Sequence, residues 1–261
     1  MILEVHEPPK DSDTARDIAK LLKSKNLKYI VATSNALRRE YIKIFPRARD
    51  RILVAHNGSS LPVPSRDKGD VPELPGRNTK IKIGYIGHLY PGKGMEMIQK
   101  LADRFPDIDF HVIGGTKEDI RHWKKVINNK NIIFYGFIPP GSLSKYYKYF
   151  DIVLAPYQKK VKTFGGGIDN SRWICPLKIF DYMAHSKAII ASDIILKDVL
   201  YDRVNCLLCP PDDVGKWQKA IGELINNAEL KTRIEKKAYK DFIKNYTWTK
   251  RARKVLEPLN R

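Results

Sequence analysis

Cysteine is scarce in this chain, long apolar runs are missing, and carboxylates are outnumbered. Three cysteines among 261 residues exclude a disulfide scaffold and agree with a reducing compartment. Cys206 and Cys209 form a C-x-x-C in "NCLLCPPDD", but no second C-x-x-C or H-x-x-x-H supplies the other ligands of a zinc site. Leu207 and Leu208 between them, with two prolines behind, indicate a strand end with buried structural thiols. No stretch is apolar for long enough to span a bilayer. The opening "MILEVHEPPKDSD" has neither a basic start nor an apolar core, so no signal peptide is expected. The address expected by default is cytoplasmic, and no metal or cofactor is assigned.

The shortage of acid is equally informative. Forty-eight Lys and Arg face 29 Asp and Glu, a formal net charge of +19. Residues 231–255, "KTRIEKKAYKDFIKNYTWTKRARKV", hold ten of the bases and two acids. Such a surface attracts polyanions: nucleic acid, anionic membrane or phosphorylated ligands. A solvated helical face is the plain alternative. Nucleic acid ranks last, because the bases do not interleave with aromatics on a recognisable DNA- or RNA-binding fold.

What is present is a regular alternation of apolar strands and helices. "KYIVATS" (28–34) leads into a helix capped by Ser34 or Asn35, and "RILVAHNG" (51–58) is a further strand. Residues 59–80 hold four prolines and no periodicity, which marks a linker. Strands then follow at "KIGYIG", "DFHVIGG", "NIIFYGF", "DIVLAPY", "KAIIAS" and "NCLLCP". Helices are expected at 94–105, 116–128, 142–149 and 177–185, with a short helical piece before "NCLLCP" and more helices from 212 onward. Strands rich in Ile, Val and Phe, separated by helices, specify an α/β fold with a doubly wound parallel sheet. Residues 1–65 supply a strand, then one helix and two strands. They are expected to be part of a Rossmann-like domain whose front half is absent, leaving an unpaired edge at the strand ending in Val5.

In open parallel sheets ligands bind beyond the carboxyl ends of the strands. The loops there include "GHLYPGKG" (87–94), "GGTKED", "GFIPPGS" and "SRWICPLKIFDYMA". Gly87, Gly94, Gly114, Gly115 and Gly136 follow strands or open helices, where a ligand can approach the backbone. Lys93 and Lys178 stand at helix starts, a position unfavourable to a cation unless an anion is bound. The loop at 87–94 matches neither standard phosphate fingerprint, so a turn and a phosphate cradle are both open for it.

These stretches resemble the nucleotide-sugar domain of family 4 glycosyltransferases. "YIGHLYPGKGMEMIQKLADRFPDIDFHVIGG" is similar to the family's G-x-L-x-x-x-K-G loop and helix, and the likeness runs on through "CPLKIFDYMAHSKAIIASD" to "YTWTKRARKVL". Upstream, "EVHEPP" and "VATSNALRREY" resemble pieces of the family's N-terminal domain. The resemblance implies a GT-B fold: a partial N-terminal, acceptor-side domain at 1–65, a linker at 66–80, a nucleotide-sugar domain at 81–240, and a C-terminal helix at 241–261 packing back on the first domain. It implies a metal-independent, retaining transfer of sugar from a nucleotide-diphosphate sugar to a glycan or lipid-linked acceptor. Gly87, His88, Lys93, Gly94, Pro176, Leu177 and Lys178 would hold the donor diphosphate, and Asp181 the ribose. Phe137 and Ile138 would flank the base. Gly114, Gly115 and Tyr157 would line the cleft, with His6 as the catalytic histidine. Taken alone, His6 suits a buried histidine, Tyr157 a packing residue and Phe137 a core aromatic. The glutamate that opens the family's E-x7-E pattern is replaced here by Trp173. Further expectations are an anionic membrane surface as partner, and a second copy or a separate N-terminal half completing the first domain. The alternative function is a catalytically incomplete nucleotide-sugar-binding fragment.

Overall fold

In a computed structural model, which describes residues 1–62, 80–161, 169 and 171–259, the alternation becomes two parallel sheets. The first has the order β1-β2-β3, from β1 (Ile2–Val5), β2 (Tyr29–Ala32) and β3 (Ile52–Val54). Two helices connect them, α1 (Ser12–Lys23) and α2 (Asn35–Ile44). Only one helix was expected here; α1 is a correction. Its signals are local: the Asp11 side chain accepts from the Thr14 N–H, Asp13 lies in the first turn, and Lys20 and Lys23 lie in the last. Ile18, Leu21 and Leu22 turn one face onto Leu27, Ile30, Leu37 and Tyr41. Ser34 is the cap of α2, its side chain accepting from the Leu37 N–H.

The second sheet has six parallel strands in the order β6-β5-β4-β7-β8-β9. They are β4 (Lys82–Ile86), β5 (Asp109–Ile113), β6 (Ile132–Gly136), β7 (Ile152–Ala155), β8 (Ala188–Ser192) and β9 (Leu207–Cys209). Every residue of β5, β7 and β8 is buried, as a sheet covered on both faces requires. On one face lie α3 (Met95–Arg104), α4 (Lys117–Val126) and α7 (Val214–Asn226), packing Ile98, Leu101, Trp123, Trp217 and Ile221 onto Ile83, Val112 and Leu154. The other face takes α5 (Leu143–Tyr147), α6 (Leu177–Ala184) and α8 (Ala228–Asn245) through Tyr147, Phe180, Met183, Ala238 and Phe242. Each such large side chain contributes roughly 1.5–3 kcal/mol by burial. Cys206 and Cys209 are buried free thiols; burial pushes the Cys209 thiol up to about 12. They are strand-end packing groups.

Residues 193–204 form turns where a short helix was expected. Leu196 and Arg203 hold positive φ, 44° and 59°, a conformation that does not propagate a right-handed helix. Most of the expected linker, and with it the 65/66 boundary, lies outside the described residues. Its start is fixed: Ser59 forms a parallel bridge with Thr247. Beyond Thr247, α9 (Trp248–Leu256) lies against the first sheet. Val255 packs with Ile2, Tyr29, Val31 and Leu53, and Arg251 donates to Glu4 at 2.7 Å and to the His56 carbonyl at 3.0 Å.

Candidate functional site

The order β6-β5-β4-β7-β8-β9 reverses between β4 and β7: the chain leaves β4 for β5 and later returns to β7. Loops leaving two such strands diverge, and a crevice opens between them. Here the loops are 87–94 after β4 and 156–161 after β7, and both are tied down. The Gln158 N–H donates to the Gly92 carbonyl at 2.9 Å, and Trp123 Nε1 donates to the Leu89 carbonyl at 3.0 Å. Gly94 caps α3 at φ +115°, and a Cβ there would lie 2.3 Å from Pro156 Cγ, so only glycine fits. Tyr182 of α6 spans the switch point, its hydroxyl accepting from the Ile86 N–H at 3.0 Å and donating to the Leu154 carbonyl at 3.2 Å. That bond pair ties α6 to both strands of the switch point.

Two ammonium groups converge there. Lys178, second residue of α6, is buried, and among the described residues its Nζ has no hydrogen-bond partner. It lies over the Tyr85 ring at 3.7 Å and near the Tyr157 ring at 5.2 Å. Gly87 makes this possible, since a Cβ at 87 would stand 2.5 Å from that nitrogen. Lys93 approaches the same Tyr157 ring at 5.3 Å. Burial, with repulsion from Lys93 added, drives the Lys178 pKa well below the ordinary lysine value, and burial lowers that of Lys93. His88 stacks on Tyr90 at 4.9 Å. Burial, then Lys93 and Lys178, hold its pKa below the usual imidazole range. A desolvated cation–π contact returns about 2 kcal/mol or somewhat more, whereas taking an ammonium out of water costs several kcal/mol. Among the described residues the Lys178 ammonium is therefore under-compensated, and with Lys93 near it an anion of two or more charges is the complement the pair favours.

Of the residues singled out in the sequence, Gly87, His88, Lys93, Gly94, Gly114, Tyr157 and Lys178 meet at this crevice. Gly114 meets Gly87 there, for a Cβ at 114 would stand 2.2 Å from the Gly87 carbonyl oxygen, and Gly115 packs at Leu89. Pro176 precedes α6, and Leu177 is its exposed first residue. Asp181, one turn along α6, receives the Ser59 hydroxyl at 2.5 Å; burial raises its pKa, with Ser59 opposing. Ile138 packs on the core while Phe137 is 74% exposed, which corrects the reading of Phe137 as a core aromatic. His6 is exposed, its Nε2 3.2 Å from Glu4, so the buried-histidine reading also falls. Among the described residues no hydrogen bond or ion pair joins His6 to the lysines. Tyr85, Tyr182 and Ser59 were missed in the sequence. Tyr85 and Tyr182 look like ordinary core aromatics, and Ser59 opens a linker, so no motif marks them.

Comparison with known proteins now decides the family. Residues 80–227, more than half of the chain, match the model of the family described as glycosyl transferases group 1. The chain belongs to that family. A glycosyltransferase of Bacillus subtilis named for teichuronic acid biosynthesis, TuaH, is 25% identical over 78% of this chain and 52% of its own length. An uncharacterized glycosyltransferase of Methanocaldococcus jannaschii is 28% identical over 90% of this chain and 58% of its own. The chain thus spans about half the length of the curated relatives it matches. Among solved structures, Anabaena Alr3699/HepE in complex with UDP and glucose superposes with a TM-score of 0.73 at 17% identity, covering 99% of this chain and 71% of the other. The two parallel sheets are therefore those of a group 1 glycosyltransferase of GT-B fold.

Proposed function

We propose that the crevice between β4 and β7 binds the diphosphate of a nucleotide-sugar donor, and that the chain carries the donor side of a metal-independent, retaining glycosyltransferase. The observation that carries this reading is Lys178: a buried ammonium without a hydrogen-bond partner among the described residues, in the first turn of α6, beside Gly87 and near Lys93. When the sugar–phosphate bond breaks, negative charge accumulates on the leaving diphosphate. Cations and helix-end amides already fixed around it stabilise that charge without reorganising. His88 strengthens the cradle in its protonated form, which a bound anion favours. The oxygens of Asp181 are suited to ribose hydroxyls, with Ser59 orienting one of them. Phe137 offers an exposed ring to a base.

The similarity to TuaH and to a UDP- and glucose-bound structure supports a UDP-sugar donor and a glycan acceptor, and the family resemblance of the sequence adds a lipid-linked acceptor to the proposal. The "PLKIFDYM" run supports placement in the subgroup of family 4 enzymes with that motif, and His6 is assigned to the acceptor side of the reaction. Calorimetry with UDP, GDP and ADP tests the donor reading. Lys93→Ala should lose roughly 1.5–3 kcal/mol of binding energy, the worth of a charge-assisted contact. His6→Ala should leave nucleotide affinity unchanged and depress only turnover. Unchanged affinity in Lys93→Ala would reduce the loop to a turn.

A further inference from the structure

A second basic cavity lies beside the donor crevice, walled by both sheets' elements. It measures about 540 Å³ and is lined on one side by Ser34, the cap of α2, with Asn35 and Arg39 of that helix, and on the other by Lys159, Arg172 and Lys197. It adjoins the donor site through the chain: Lys159 follows Tyr157 by two residues, and its neighbour Lys160 presses its carbonyl against Gly92, where a Cβ would lie 2.0 Å away. The charge is one-sided. Asp198 is the cavity's only carboxylate among the described residues, and it is already engaged. It receives Asn35 Nδ2 at 2.5 Å and lies 2.7 Å from His56 Nε2. Lys159 is paired with Asp212 at 2.6 Å, and Arg172 acts on Asp169 at longer range. Arg39 and Lys197 are exposed and form no ion pair among the described residues. The amino end of α2 adds its positive field to theirs, but the inference rests on the cavity and its side chains.

We propose that this cavity takes an acidic acceptor, one bearing a phosphate or carboxylate close to the hydroxyl that receives the sugar, with Arg39 and Lys197 as its anion-binding residues. The inference rests on the donor reading above, since an acceptor site is meaningful only beside a donor. A neutral glycan would leave two guanidinium groups and an ammonium facing a sugar they have little reason to select. An anionic one pairs with them, and a planar carboxylate or a phosphate suits the forked donors of Arg39. In the transfer, the acceptor hydroxyl oxygen forms the new bond to the anomeric carbon, the bond from that carbon to the diphosphate oxygen breaks, and the hydroxyl proton leaves with the diphosphate or to solvent. The acidic group takes no part in that exchange and fixes only the pose.

The experiment uses the full chain saturated with UDP, so that the donor cations are occupied. Glycerol 3-phosphate, glucuronate and glucose are titrated in turn by calorimetry. The phosphate or the carboxylate probe should bind, glucose should not, and the responding probe names the acidic group. Arg39→Ala and Lys197→Ala should each weaken that probe about tenfold, the loss of one charge-assisted contact, with UDP affinity unchanged. Lys236→Ala, a charge removed from the exposed face of α8, should have no effect. Equal binding by wild type and both cavity variants, or no binding of either acidic probe, overturns the inference. Failure of the donor reading shows separately, as absence of UDP binding, and overturns the acceptor reading with it.

Discussion

Lys178 is a residue held at a cost. Among the described residues its buried ammonium has no hydrogen-bond partner and rests on aromatic faces, so a shape-matched apolar replacement relieves the free protein. Lys178→Met is expected to raise the midpoint of thermal unfolding while weakening UDP binding at least tenfold, measured by calorimetry on the same preparation. The pH dependence has a definite sign. A lysine whose folded-state pKa is depressed binds fewer protons folded than unfolded, so stability rises with pH between the depressed value and the ordinary one near 10.5. A bound diphosphate pushes the same pKa back up, so nucleotide binding takes up a proton in that window and weakens as pH rises. Binding heats in buffers of different ionisation enthalpy should reveal the uptake, and Lys178→Met should lose it. Unaltered proton uptake in the variant would assign the effect to Lys93 or His88.

At the scale of elements, α6 and the last two helices do different work. In α6 the buried positions Ile179, Phe180, Tyr182, Met183 and Ala184 lock the helix to the sheet, and its first turn is left to face the crevice. By contrast α8 and α9 expose most of their charge. Within 231–255, Lys231 pairs with Asp151, Lys237 with Asp241 and Arg251 with Glu4. The other seven bases have no such partner among the described residues. No helix of the described residues is long and apolar enough to cross a membrane, so any membrane contact these helices make is at the surface. Each base near an anionic surface is worth about 1 kcal/mol and is screened by salt. Vesicles containing anionic lipid are expected to sediment the chain at low salt and release it at high salt. Equal sedimentation with neutral vesicles would remove the membrane from the account.

At the scale of the whole molecule, short polar bonds join the two sheets' elements at one level. The Ser34 hydroxyl donates to the Trp173 carbonyl at 2.9 Å, Asn57 Nδ2 donates to the Cys175 carbonyl at 2.7 Å, and His56 meets Asp198 at 2.7 Å. Burial alone would raise the Asp198 carboxyl; the hydrogen bond and charge of His56 outweigh it and hold the pKa below the usual range. Such a carboxylate contributes stability above its unfolded pKa and loses it as pH falls through the folded one. Asp198→Ala is expected to cost about 1–3 kcal/mol at pH 7. The difference from wild type should shrink toward zero on acidification, as followed by urea unfolding at several pH values. A constant difference at every pH would mean that packing, not charge, is what Asp198 contributes.

Local patterning was enough to find the six strands of the second sheet, the four helices between them and the glycines at strand ends, because burial on both faces and strand-end turns each leave a sequence signature. It also contained the signals of α1, a cap and an apolar face. The positive-φ turns at Leu196 and Arg203 left no mark, since neither residue type announces that conformation. For the site, the sequence by itself determined which lysines and glycines stand at strand ends and helix starts. Only the tertiary structure decided that Lys93 and Lys178 share one aromatic floor, that Tyr85 forms part of it, and that Ser59 reaches Asp181. The reason is strand order. Lys93 follows β4 and Lys178 precedes β8, with about eighty residues of chain between them. They become neighbours only because β7 returns to pair with β4, and sequence spacing carries no record of that pairing.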